Sequence, residues 1–211
     1  MKTYRALAVT TAALAFVLVA VGAYVRLSDA GLGCPDWPLC YGHPLPQQLG
    51  DAAALVSLVA LAVQIALGGW VSANYAALAC PDLPGCLGQA VPPMDFRNAF
   101  HVVRELGRTG EGALLGNDAL TAIHWTHRLG ALVVLGAVAT TAVRGMKIPA
   151  LRVPSMTAGI LVLTQFSLGV ANVALGLPLA LADAHNAVAA LLLSSLVVLN
   201  FFSFRGLRPF S

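Results

Sequence analysis

The apolar positions of this chain fall in long unbroken blocks, separated by shorter polar stretches. Ala6 to Val25 is uncharged, and Ala52 to Val71 carries one strongly polar residue, Gln64. Ala119 to Val143, Val153 to Leu175 and Ala180 to Ser203 are the other blocks. A helix on the surface of a soluble domain would show an apolar stripe with a polar opposite face. These blocks are apolar around their whole circumference. Each reaches the roughly 20 helical residues needed to cross a hydrocarbon core. Backbone groups in lipid must be paired within their own segment, so the blocks are read as helices. The pattern predicts an all-α, polytopic membrane helix bundle with five spans.

Lys2 and Arg5 precede the first block, as they would in a secretory signal. Its apolar run is long for such a segment, and no clear small-residue cleavage site follows, so a retained helix is expected. Two units follow from the pattern. Residues 1–50 hold the first span and a cysteine-containing loop. Residues 51–211 hold a four-helix bundle interrupted by a long loop, 72–118, in which Phe96 to Leu106 is read as a short amphipathic helix.

Composition agrees: 58% of residues are hydrophobic, 10% are charged, and mean hydropathy is +0.81. A soluble domain needs more polar surface than this. The net charge of +3 is spread over loops with no basic stripe, so nucleic acid is not an expected partner. No span shows the broken-helix pattern or charged pathway of a transporter.

Two segments repeat. Cys34-Pro-Asp-Trp-Pro-Leu-Cys40 matches Cys80-Pro-Asp-Leu-Pro-Gly-Cys86, and the match extends upstream without a gap through Gly22 with Gly68 and Val25 with Val71. A run this similar at a fixed offset is read as an internal duplication. The prolines bend each loop and bring its cysteines together. In an oxidising compartment each pair would form a short-range disulfide; free thiols and metal binding are the alternatives. The spacing fits no usual zinc site, and no histidine completes either pair. A second echo links Gln64-Ile-Ala-Leu-Gly68 with Gln165-Phe-Ser-Leu-Gly169. It supports duplication but assigns no chemistry.

Of five histidines, His43 and His101 lie in loops and read as solvated. His124, His127 and His185 lie in apolar spans, where an ionisable side chain is costly and usually faces a partner or cavity. The third and fifth spans are separated by one helix and so run parallel. Counted from the expected helix starts, His127 and His185 sit about 12–14 Å in from the same side. Two imidazoles at one depth on parallel helices can approach one haem iron from opposite faces. The alternative is that each bonds a neighbouring helix. Arg128 is placed to pair with a haem propionate. Asp183 is a further polar partner for the site. His124, one turn before His127, would line the cavity or orient a ligand.

Gly31-Leu-Gly-Cys-Pro-Asp-Trp-Pro-Leu-Cys40, with Tyr41-Gly42 after it, resembles the first outer loop of the heme A synthase family. Gln64 through Cys86 and Met94-Asp-Phe96, Ala122-Ile-His-Trp-Thr-His-Arg-Leu-Gly130 and the region around His185 are similar to that family's second half. The resemblance implies eight helices in two four-helix halves, the C-terminal half holding a b-type haem (haem b, iron). The positions matching its axial ligands are His127 and His185. It also implies that the N-terminal half receives heme O, whose methyl group is oxidised to the formyl of heme A. Heme O synthase, an electron donor, membrane lipid and a second copy of the chain are the implied partners, and a bacterial inner membrane is the implied location.

This chain departs from the family pattern in its first half. From the first cysteine loop it passes within about ten residues to what resembles the family's fifth helix. The helices carrying the N-terminal histidines and the family's Glu-x-x-His-Arg motif are absent, so no catalytic residue is assigned. His124 stands where the Glu of that motif would be. Three missing spans is an odd number, so no orientation puts both cysteine loops outside. Spans two to five are expected to keep the second cysteine loop outside, with Arg144, Lys147 and Arg152 inside.

Overall fold

A computed structural model of the protein describes residues 49–204. The first expected span, the Cys34 to Cys40 loop and His43 lie outside the described residues. Four long helices account for spans two to five: α1 (Leu49–Ala73), α3 (Asn117–Gly145), α4 (Arg152–Ala174) and α5 (Leu179–Phe204). All four are long and apolar enough to cross a membrane. Among the described residues there is no strand, only two isolated bridges in the long loop. The protein is an all-α membrane helix bundle.

The helix ends follow local chemistry. Asp118 lies in the first turn of α3 and Arg144 in its last, each matching the helix dipole. A single 3₁₀ turn, Pro149–Leu151, leads directly into α4. Gly176 at φ +68° ends α4, and Leu177 donates its N–H back to the Asn172 carbonyl at 2.7 Å. Glycine accepts that left-handed conformation without strain. Chain direction then makes α3 and α5 parallel, both starting on the side of the long loop.

The helices form a square: α1 packs on α3 and α5, and α4 packs on the same two. Thus α3 and α5 stand at opposite corners. Leu61, Val138, Val162, Leu192 and Leu196 fill the centre. Val56, Val63, Val133 and Leu163 are exposed on outer faces, as lipid-facing side chains should be. At the end away from the long loop, polar ties join the apolar packing of Leu151 and Leu199. The Ser57 and Thr141 hydroxyls are 2.8 Å apart, and Asn200 Nδ2 donates to the Ala54 carbonyl at 3.0 Å.

The loop after α1 is a folded cap. Asn74, buried at the helix end, donates to the Trp70 carbonyl and accepts from the Gly107 N–H. Its one helix is shorter than the expected segment near residues 96–106: α2 covers Phe96–Ala99 only. The Ala99 carbonyl, which would continue that helix, instead accepts from Trp70 Nε1 at 2.9 Å and Arg104 Nη2 at 3.3 Å. The Arg104 guanidinium also lies 5.4 Å over the Trp70 ring. Burial of this cation lowers its pKa.

Candidate functional site

Gln64 of α1 and His127 of α3 meet inside the bundle. Gln64 Nε2 donates to the His127 carbonyl at 2.8 Å and lies 3.0 Å from His127 Nδ1. One turn along α1, Gly68 faces the same ring: a Cβ placed there would stand 3.2 Å from His127 Cε1. The imidazole therefore rests on bare backbone while its Nδ1 edge contacts an amide.

The same arrangement recurs across the square. Gln165 of α4 holds His185 of α5, with Gln165 Nε2 at 3.1 Å from His185 Nε2. Gly169, again four residues on, would place a Cβ 3.2 Å from His185 Cε1. His185 Nδ1 is buried with no hydrogen-bond partner in the protein. His127 stands on α3 and His185 on α5. The two helices that carry them are at opposite corners of the bundle.

Depth is matched by the glutamines. Gln64 is nine residues before Ala73, the end of α1, and Gln165 is nine before Ala174, the end of α4. Both ends lie on the loop side. The histidines stand at unequal distances from their own helix starts, His127 ten residues in and His185 six, because α3 begins at Asn117 and α5 at Leu179, whereas the expected equal depth was counted from Ala119 and Gly176. The partner glutamines, not the helix starts, are at matching distances from the loop side.

His124 and Arg128 face elsewhere. Spaced one turn apart on α3, both turn toward the second cysteine loop. His124 Nδ1 accepts from the Cys80 N–H at 3.2 Å. Arg128 donates to the carbonyls of Cys80 at 2.5 Å, Gly85 at 2.8 Å and Asp82 at 3.0 Å. The expectation for Arg128 was a propionate; the structure gives its terminal nitrogens three backbone carbonyls. Cys80 and Cys86 form the expected disulfide, with Cα atoms 4.8 Å apart. Inside this ring the Asp82 carboxylate accepts from the Gly88 and Leu87 N–H groups. The Gly88 hydrogen bond, and after it that of Leu87, holds its carboxyl below the usual aspartate range. Asp183 and His101 are exposed.

Among the described residues, no cluster of three or more His, Cys, Asp or Glu side chains is arranged around a bare ion. The cavities at Ala53, Thr141 and Leu199 and at Val153, Ser194 and Phe202 lie toward the end of the bundle away from the histidines. Sequence reasoning missed the role of Gln64 and Gln165. Its signal was the repeated Gln-x-x-x-Gly, whose two residues share one helix face.

A family model described as cytochrome oxidase assembly protein (COX15-CtaA) matches residues 5–54 and 47–197. Among curated proteins, a heme A synthase of Shewanella oneidensis is 74% identical over 27 residues. That match covers 13% of this chain and 8% of the relative's length. No solved structure matches the chain. Nearly the whole sequence thus follows one family pattern, and the chain belongs to the heme A synthase family of cytochrome oxidase assembly proteins.

Proposed function

We propose that this chain holds a b-type haem between His127 and His185 and serves heme A biosynthesis, the oxidation of the heme O methyl group to a formyl. The supporting observation is the pair of imidazoles on parallel helices at opposite corners of the bundle, each set over a glycine. Their donor chemistry fits haem. Each ring has one nitrogen in contact with a glutamine amide, and His185 Nδ1 is buried without a protein partner. Imidazole coordinates through either nitrogen. When bound, a bis-imidazole haem supplies one-electron transfer at an iron with no open coordination position.

The chain's own residues divide the remaining work. Gln64 and Gln165 orient the rings, and Gly68 and Gly169 let them approach the helix backbones. His124 and Arg128 fasten the disulfide loop to α3. Heme O is the proposed substrate, with membrane lipid around the bundle and an electron donor outside it. The family's Glu has no counterpart here, since His124 takes its position in the matching segment. That observation favours a second reading, a non-catalytic or electron-transfer haem protein that needs another chain, or a second copy, for its substrate half.

Purified in detergent, the chain should show a low-spin b-type spectrum, and His127→Ala or His185→Ala should abolish it. Conversion of added heme O to heme A separates the enzyme from the electron-transfer reading. A chain that neither carries nor takes up haem would sink both.

A further inference from the structure

The two Gln-x-x-x-Gly segments are the same device used twice, and the proposed site needs both. Gln64 with Gly68 and Gln165 with Gly169 have equal spacing, equal distance from the loop-side helix end, and an imidazole as common target. In each case the cradle lies on one helix and the histidine on the next long helix of the chain. The bundle is therefore two helix pairs, α1 with α3 and α4 with α5, each ordered cradle first and histidine second. Ordinary membrane packing explains small residues. It does not explain why a glutamine sits one turn before the glycine in both pairs, with its amide on the ring.

We infer that Gln64 and Gln165 are positioning residues, which with Gly68 and Gly169 fix the rotation of the His127 and His185 rings about the axis that would point to iron. This rests on the haem reading above. The physical need is plain. An imidazole on a flexible side chain has two broad ring orientations, and its ligating nitrogen is set by what the other nitrogen touches. A glutamine at membrane depth has few competing partners, so its amide stays on the ring. The glycine removes the one substituent that would tilt it. A methyl group 3.2 Å from Cε1 forces the ring to move by a few tenths of an ångström. The neighbouring Gly69 has nothing within 4 Å of an added Cβ and supplies a built-in control.

The experiment uses the full chain in detergent or bilayers. Gln64→Leu and Gln165→Leu should each weaken haem retention by about tenfold, the usual effect of losing a partner that orients a ligand. They should also shift the g-values of the ferric low-spin signal. Gly68→Ala and Gly169→Ala should shift the same g-values, whereas Gly69→Ala should leave them at wild type. A second measurement needs no haem: in ¹⁵N-histidine-labelled protein, Gln64→Leu should move the His127 ring resonances and Gln165→Leu those of His185. Glutamine variants with unaltered g-values, retention and ring resonances would overturn the inference while leaving the haem reading intact. Failure of the wild-type chain to take up low-spin haem removes the reading itself, and the iron-directed part of the inference with it.

Discussion

At the scale of single residues, neighbours on one helix are divided between two tasks. His127 turns inward to Gln64, while His124 and Arg128 turn to the disulfide loop. The apolar sequence around them announced that the histidines needed partners, because ionisable groups in lipid are costly. It could not say which partners. The Cys80 N–H that meets His124 belongs to a loop 44 residues away, and nothing local predicts that return. Arg128 offers a test. Hydrogen bonds to a charged group contribute roughly 1.5–3 kcal/mol each, and Arg128→Met removes three at once. The Cys80–Cys86 loop should open at least about tenfold more often, measured as faster reduction by a phosphine under native conditions. Unchanged reduction kinetics would show that the carbonyl contacts do not hold the loop.

At the scale of elements, the four described spans were legible and their ends were not. Block length and the absence of a polar face were enough to mark each helix. The boundaries moved by up to three residues, at the start of α1; at α3, Gly116 and Asp118 start the helix two residues before the apolar block does. The expected helix near residues 96–106 shrank to one turn because a tryptophan and an arginine capture its last carbonyl. The glutamine echo was visible as a repeat, yet its meaning required knowing which helix lay opposite. The cap also has a pin that can be pulled. Asn74→Ala breaks the bonds to Trp70 and Gly107 and leaves the half-buried Gly107 N–H without its acceptor, at about 1 kcal/mol or more. Hydrogen exchange should rise across residues 99–115 and stay slow in α3 and α5. Uniform protection would assign the cap's stability elsewhere.

At the scale of the whole molecule, orientation is the open consequence of the duplicated loops. A bundle whose α3–α4 turn carries Arg144, Lys147 and Arg152 favours that turn inside. The disulfide between Cys80 and Cys86 favours an oxidising side for the other end. Both point the same way for spans two to five. A topology reporter fused at residue 90 should report the outside and one at residue 147 the cytoplasm. A cytoplasmic signal at 90 would refute this orientation.

The paired glutamines and histidines also show what the bundle leaves free to vary. Gln165 and His185 lie 20 residues apart in sequence, whereas Gln64 and His127 lie 63 apart, yet in both pairs a glutamine amide meets a ring nitrogen, Nε2 of His185 and Nδ1 of His127. Connector length is therefore decoupled from ligand geometry: the stretch between α1 and α3 can lengthen, shorten or acquire new partners while the imidazoles keep their footing. Adaptation to a different membrane surface or redox companion has an open route through that segment.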